Sequence, residues 1–261
     1  VKSLLRFQQV LMTVATVGRQ FSGLTGLLCL LVCQRPASAA TKDTFQAGLA
    51  AYESGQFPVA ARAFRDAATN APSTGAFLNL GLSEWRRGRA GAALCAWEQA
   101  LWVAPGNPSA RNSLAYARRL MDVESPHLHW YERVSSRLPI NAWAWITAVG
   151  LWMTIGAVLL PDILRRRRSA TTQAFAAFGL MVLLLSLPAQ VGIRTRQQIG
   201  FILQREASLR LTPTADAEIS LKLPAGEPAR QLRKRGNYVL VKTSQGEGWL
   251  EQHQFGLVVP N

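Results

Sequence analysis

The sequence predicts a multidomain membrane protein of 261 residues, in which an all-α helical-repeat solenoid, a two-helix transmembrane hairpin and a small all-β barrel follow one another. Three observations carry this prediction. Two 20-residue stretches, 141–160 and 174–193, contain no charged side chain. At 1.5 Å per residue each is long enough to cross a hydrocarbon core about 30 Å thick. Seven positions between 48 and 72 are echoed 33 residues later in the same order, five of them by the same residue. Beyond position 200 the pattern changes to short alternating apolar runs separated by turn residues.

The formal net charge of +14 points towards nucleic acid until it is divided along the chain: residues 1–40 carry +4, 41–125 carry +2, 126–200 carry +6 and 201–261 carry +2. Most of the excess therefore sits in the leader and around the apolar stretches, where Lys and Arg set membrane topology. The other segments are nearly balanced, and nucleic-acid binding is not expected.

Residues 1–40 read as a secretory signal peptide. Lys2, Arg6 and Arg19 precede a 13-residue apolar run, 21–33, and Ala37, Ser38, Ala39 and Ala40 supply small residues at a distance suited to cleavage. The sequence opens with Val1, and a start at Met12 gives a signal of more ordinary proportions. The alternative is an uncleaved anchor helix; both readings export the segment that begins at Thr41. Cys29 and Cys33 lie within the apolar run, so a mature chain keeps only Cys95. That leaves no disulfide or zinc framework, and its helical setting makes Cys95 a small packing residue.

The repeats occupy residues 41–124. Gly48, Gly55, Phe57, Ala60, Phe64, Ala67 and Pro72 are echoed by Gly81, Gly88, Ala90, Ala93, Trp97, Ala100 and Pro105. This register resembles the tetratricopeptide repeat, a helix-turn-helix unit of about 34 residues, and implies an all-α tetratricopeptide solenoid. Gly48 and Gly81 allow close helix approach, Gly55 and Gly88 form turns, Phe64 and Trp97 fill the space between repeats, and Pro72 and Pro105 stop the second helices. A helix over 109–121 presents Leu114 and Leu120 and caps the stack. By motif register the concave face is formed by Phe45, Leu49, Tyr52 and Glu53, then Leu78, Leu82, Trp85 and Arg86. Carboxylate-clamp members of the repeat family carry Lys and Asn in this groove; here Phe45, Leu49, Leu78 and Leu82 replace them, and no clamp is expected. An apolar groove of Phe45, Leu49, Tyr52, Leu78, Leu82 and Trp85 suits an amphipathic helix. The alternative is that these residues pack against another part of the same chain.

A linker, 125–139, reads as an interfacial helix beginning at Ser125 and Pro126, with Trp130, Tyr131, Val134 and Leu138 on one face. His127, His129 and Glu132, without Cys or further carboxylates, do not make a metal site. The transmembrane helices are assigned to 140–161 and 174–193, with Trp143 and Trp145 as anchors at the start of the first and Pro188 and Gln190 as interruptions in the second. The connection between them, 162–173, contains Arg165, Arg166, Arg167 and Arg168, the pattern of a cytoplasmic loop. Neither charge-free stretch holds an ionisable residue, which removes the usual marks of a transporter or proton relay.

Residues 198–261 contain strands expected at 207–211, 218–223, 229–233, 238–242 and 248–250. Arg210 before the turn at Pro213, Gly226-Glu227, Tyr238-Val239-Leu240-Val241 and Gly248-Trp249-Leu250 are, in order, landmarks that resemble the bacterial SH3-like domain, which implies a small all-β SH3-like barrel. Alternation along the last of these runs places Trp249 in the core.

Signal peptide, tetratricopeptide repeats, membrane hairpin and SH3-like domain, in that order, resemble the BatE-like proteins of bacterial aerotolerance operons. The resemblance implies a non-enzymatic scaffold at the bacterial cytoplasmic (inner) membrane, with repeat and SH3-like domains in the periplasm. The role implied is the docking of protein partners in an aerotolerance or envelope-stress system. The partners implied are membrane proteins with von Willebrand factor A domains and, indirectly, a MoxR-type ATPase; no cofactor or catalytic residue comes with it. An alternative is a cell-wall sensor, since bacterial SH3-like domains often recognise peptidoglycan peptides. The sequence contains no P-loop, no Gly-x-Ser-x-Gly elbow and no His-Glu-x-x-His pair, and an enzyme is not expected.

Overall fold

The structure, a computed structural model, describes residues 39–163 and 169–259. The expected leader, except for its last two positions, and the four arginines 165–168 lie outside these residues. Among the described residues, eight helices and seven strands are formed.

Five helices run first: α1 (Ala39–Glu53), α2 (Phe57–Asn70), α3 (Thr74–Arg86), α4 (Ala90–Val103) and α5 (Pro108–Met121). The turns between α1 and α2 and between α3 and α4 contain Gly55 at φ +75° and Gly88 at φ +74°, a left-handed backbone that favours glycine. A Cβ on Gly48 would lie 2.8 Å from the Phe64 ring, and one on Gly81 would overlap Trp97, so both helix pairs close in the same way. Ser73 caps α3 and Asn107 caps α5, accepting from the amides of Ala76 and Ala110. The last helix buries Ala110, Leu114 and Ala117. Leu120, which the sequence presents together with Leu114, is 65% exposed, because the buried stripe runs through Ala110, Leu114 and Ala117 at i, i+4 and i+7.

The linker is extended to His129, and only Trp130–Ser135 forms a helix, α6. The expected start at Ser125 is corrected: Glu132 reaches back to the His129 amide (2.9 Å), which sets the first turn five residues later. Two long helices come next, α7 (Ile140–Ile163) and α8 (Ala170–Arg196), and both are long and apolar enough to cross a membrane. Their large side chains point outward, as with Trp152 (69% exposed) and Leu185 (67% exposed), whereas their contact is made of small and polar groups. A Cβ on Gly150 would lie 3.0 Å from the Leu183 amide, and the Thr147 hydroxyl meets Ser186 (3.1 Å) and accepts from Gln190 (3.0 Å). That distribution, with small residues and hydrogen bonds inside and apolar bulk outside, suits helices solvated by lipid.

The C-terminal segment forms β1 (Ile199–Ile202), β2 (Ala207–Arg210), β3 (Ile219–Leu223), β4 (Pro228–Arg235), β5 (Tyr238–Lys242), β6 (Glu247–Glu251) and β7 (Phe255–Leu257). They make one antiparallel sheet in the order β3-β2-β6-β5-β4-β1-β7. The expected barrel is corrected here: the sheet does not close, and β3 and β7 remain at its ends. The physical reason lies at β7, where Gln99 of α4 donates to the Leu257 carbonyl (2.9 Å), so a helix covers the edge that closure would otherwise satisfy. The architecture is thus mixed, helices with an open sheet, and not an all-β barrel appended to an all-α solenoid. Trp249 is also placed differently. Gly248 and Leu250 are buried and Trp249 is half-buried on the opposite face, which inverts the expected alternation.

Candidate functional site

The helical pairs and the sheet share a core. Cys95 and Trp102 of α4, Ile193 of α8, Ile199 and Phe201 of β1, and Val258 form one buried cluster, with Trp143 of α7 packed against it. At Gly91, α4 passes so close to β1 that a Cβ would overlap the Ile202 carbonyl oxygen. Apolar residues surround α4 because one side packs in the helical pairs and the other on the sheet. Cys95 is buried there, and burial, with Glu98 nearby, pushes its thiol up to about 12, which makes it an inert packing group.

A second connection is ionic. The wholly buried Glu132 carboxylate of α6 accepts two hydrogen bonds from the Arg230 guanidinium of β4, at 2.9 and 3.1 Å. Burial alone would raise the pKa of this carboxyl. Hydrogen bonds from Arg230, the His129 amide and Thr195, together with the Arg230 charge, reverse that and hold it below the ordinary carboxylate range. Glu132 is therefore a structural anion, and among the described residues no cluster of His, Cys, Asp and Glu suits a metal. Glu84 is a comparable case within the helical pairs, buried and paired with Arg65 (2.6 Å) and Arg87 (2.9 Å) at the end of α3.

The residues proposed for a groove separate into two groups. Tyr52, Leu82 and Trp85 line a cavity of about 420 Å³, together with Arg86, Trp97, Ser113 and Tyr116. Trp85 lies 5.8 Å from Trp97 and 6.3 Å, edge to face, from Tyr116. Phe45, Leu49 and Leu78 do not reach this cavity: they are half-buried against the core of the first helices, with Phe45 5.4 Å from Phe64. Tyr116, which sequence reasoning missed, is 62% exposed and completes the aromatic wall. Its signal is present in the sequence as an aromatic residue on α5 flanking the stripe of Ala110, Leu114 and Ala117. Arg86, also on the wall, has no ionic partner among the described residues, so the cavity joins aromatic surface to one free cation.

A larger cavity, about 720 Å³ and lined by more charged groups, opens between the extended linker and the sheet. Its walls include His127, His129, Glu227, Arg230, Lys242 and Ser244, and Ser244 donates to the nearly buried Glu227 (2.8 Å). Sequence reasoning did not find it, because the linker and the strands meet only in three dimensions. The sequence matches no protein-family model and no curated protein.

Proposed function

We propose that this chain is a non-enzymatic, membrane-anchored scaffold of the BatE-like kind, held in the bacterial cytoplasmic membrane by α7 and α8. Its helical pairs are read as tetratricopeptide repeats and its sheet as an SH3-like module, both on the extracytoplasmic side, serving an aerotolerance or envelope-stress system. The observation that carries this reading is the open aromatic cavity of Tyr52, Leu82, Trp85 and Tyr116. It is apolar enough to seat an amphipathic segment, and Arg86 at its wall can orient the charge of that segment. The partners the resemblance implies are membrane proteins with von Willebrand factor A domains, and through them a MoxR-type ATPase.

The test is binding of the full chain, in nanodiscs, to a membrane protein with a von Willebrand factor A domain from the same organism, with Leu82→Lys and Tyr116→Ala as the perturbation. Both side chains border the cavity and neither is fully buried, so the helices keep their fold, as circular dichroism will report. Loss of binding supports the groove. Undiminished binding by a folded double variant removes it as the docking surface.

The larger cavity favours a second reading, a cell-wall sensor. Glu227 on one wall and Lys242 on another match the mixed charge of a peptidoglycan stem peptide. Co-sedimentation of the full chain with purified sacculi, lost in Lys242→Gln, supports it; absence of co-sedimentation rejects it.

A further inference from the structure

The sequence of α6, Trp-Tyr-Glu-Arg-Val-Ser, is electrically neutral, but its fold is not neutral towards the outside. Glu132 is turned inward to Arg230 and is wholly buried, so the helix presents Arg133 outward without its acidic neighbour. Trp130 and Arg133 lie one turn apart on its exposed face, and Arg137, in the turn that follows α6, is exposed as well; Leu138 and Ile140, also exposed, continue this surface into α7. Neither Arg133 nor Arg137 has an ion-pair partner among the described residues, and Glu124, the carboxylate in the linker, lies 3.7 Å from His127. Arg194 is a further exposed cation at the end of α8.

The height of this surface along the hairpin is defined by two contacts. The Trp143 indole donates to the Ser135 carbonyl (3.2 Å), and α6 lies so close on Gly192 that a Cβ there would overlap the Tyr131 carbonyl. Residues 143 and 192 are the outermost turns of the two charge-free stretches. A short helix fastened at that level lies where hydrocarbon gives way to headgroups, with Trp130 suited to the boundary and Arg133 and Arg137 to phosphate.

We infer that the outward face of α6 and of the turn that follows it binds the headgroups of anionic phospholipids in the leaflet at this end of the hairpin. The inference rests on α7 and α8 being membrane spans. Arg133 and Arg137 supply charge-assisted hydrogen bonds to phosphate, and Trp130 and Leu138 bury apolar surface beside the acyl chains. The buried Glu132–Arg230 pair serves this surface indirectly, since a Glu132 side chain turned outward would cancel one cation.

Native mass spectrometry of the full chain in detergent, titrated with phosphatidylglycerol or phosphatidylcholine, tests this. Phosphatidylglycerol is expected to bind more tightly, and each Arg→Gln change to weaken it about fivefold, the scale of one basic side chain at an anionic surface. Arg133→Gln with Arg137→Gln thus removes most of the preference, whereas Arg119→Gln, on α5, leaves it intact. Equal binding of the two lipids, or a preference unchanged in the double variant, overturns the inference. So does full displacement of the lipid by inorganic phosphate, which would indicate a free-anion site. The span reading is tested separately by alkaline extraction from phosphatidylcholine vesicles: release of the chain refutes the spans themselves, whereas retention without lipid preference refutes only the headgroup site.

Discussion

Replacing Glu132 by Gln is expected to loosen the sheet from α6 without unfolding the helical pairs. Gln keeps the size of the side chain and an oxygen able to accept from the His129 amide, so the first turn of α6 is preserved. What is lost is the charge that receives two short hydrogen bonds from Arg230. Removing one partner of a buried pair destabilises by about 3 to 5 kcal/mol. The lower end applies, because the Arg230 side chain remains 25% exposed and keeps the Thr195 carbonyl as a weaker acceptor (3.3 Å). About 3 kcal/mol corresponds to a roughly 100-fold greater population of the opened junction. Hydrogen–deuterium exchange in nanodiscs reads this directly: amides of β1 and β4, such as Gln231, which donates to the Gln198 carbonyl, should exchange roughly 100-fold faster, while those of α2 are unchanged. The sign with pH comes from the same group. Its folded pKa lies below the ordinary value, so its stabilisation is fully present above the usual carboxylate range and is lost as pH falls through the depressed value. The wild-type junction should therefore open in acid, and the Gln variant should lose that dependence. Wild-type exchange rates in Glu132→Gln would refute the view that this pair holds the sheet in place.

Gly91→Ala should separate α4 from β1, at a cost of about 1 to 3 kcal/mol for a methyl forced against backbone, whereas Gly106→Ala, with no atom within 4 Å, should be neutral; thermal melts of the two variants make the comparison. Cys95 should resist N-ethylmaleimide at pH 7 in the folded chain and react after denaturation, as peptide mapping will report; labelling of the folded protein would contradict its burial and raised pKa. Gly179→Leu should push α7 and α8 apart, because a Cβ there already lies 2.7 Å from the Thr154 hydroxyl, and a spin label on each helix should report the increased separation. Single cysteine probes at the exposed positions Asn112 and Gln245 should label from one side of the membrane and Gln173 only from the other; a probe at Gln173 that labels together with Asn112 refutes the hairpin.

The parts of the fold that were legible in the sequence are those whose physics is local. The 33-residue echo located both helix pairs, because close approach at Gly48 and Gly81 and left-handed turns at Gly55 and Gly88 each depend on a glycine at one position. The charge-free stretches located α7 and α8, since length and apolarity need no partner to be recognised, although both helices extend beyond those stretches. Strands β2 to β6 were found from alternation, and β5 at its observed bounds. The missed strands, β1 and β7, are four and three residues long, and β1 is buried at all four positions, so it has no alternation and reads as a continuation of the span before it.

Of the candidate groove, the sequence indicated Tyr52, Leu82 and Trp85 through repeat register, but register cannot tell a side chain that borders a cavity from one, such as Leu49, that packs half-buried beneath it. By itself, then, the sequence determined two helix pairs, two apolar helices and a strand-rich C-terminal segment. Only the tertiary structure decided that the sheet stays open, that α4 covers its edge, that the modules share a core, and that α6 is cationic outside. The reason is distance along the chain. Gln99 meets Leu257 and Glu132 meets Arg230 across most of a domain each, and a buried carboxylate with a distant partner is indistinguishable, in sequence, from one left in water.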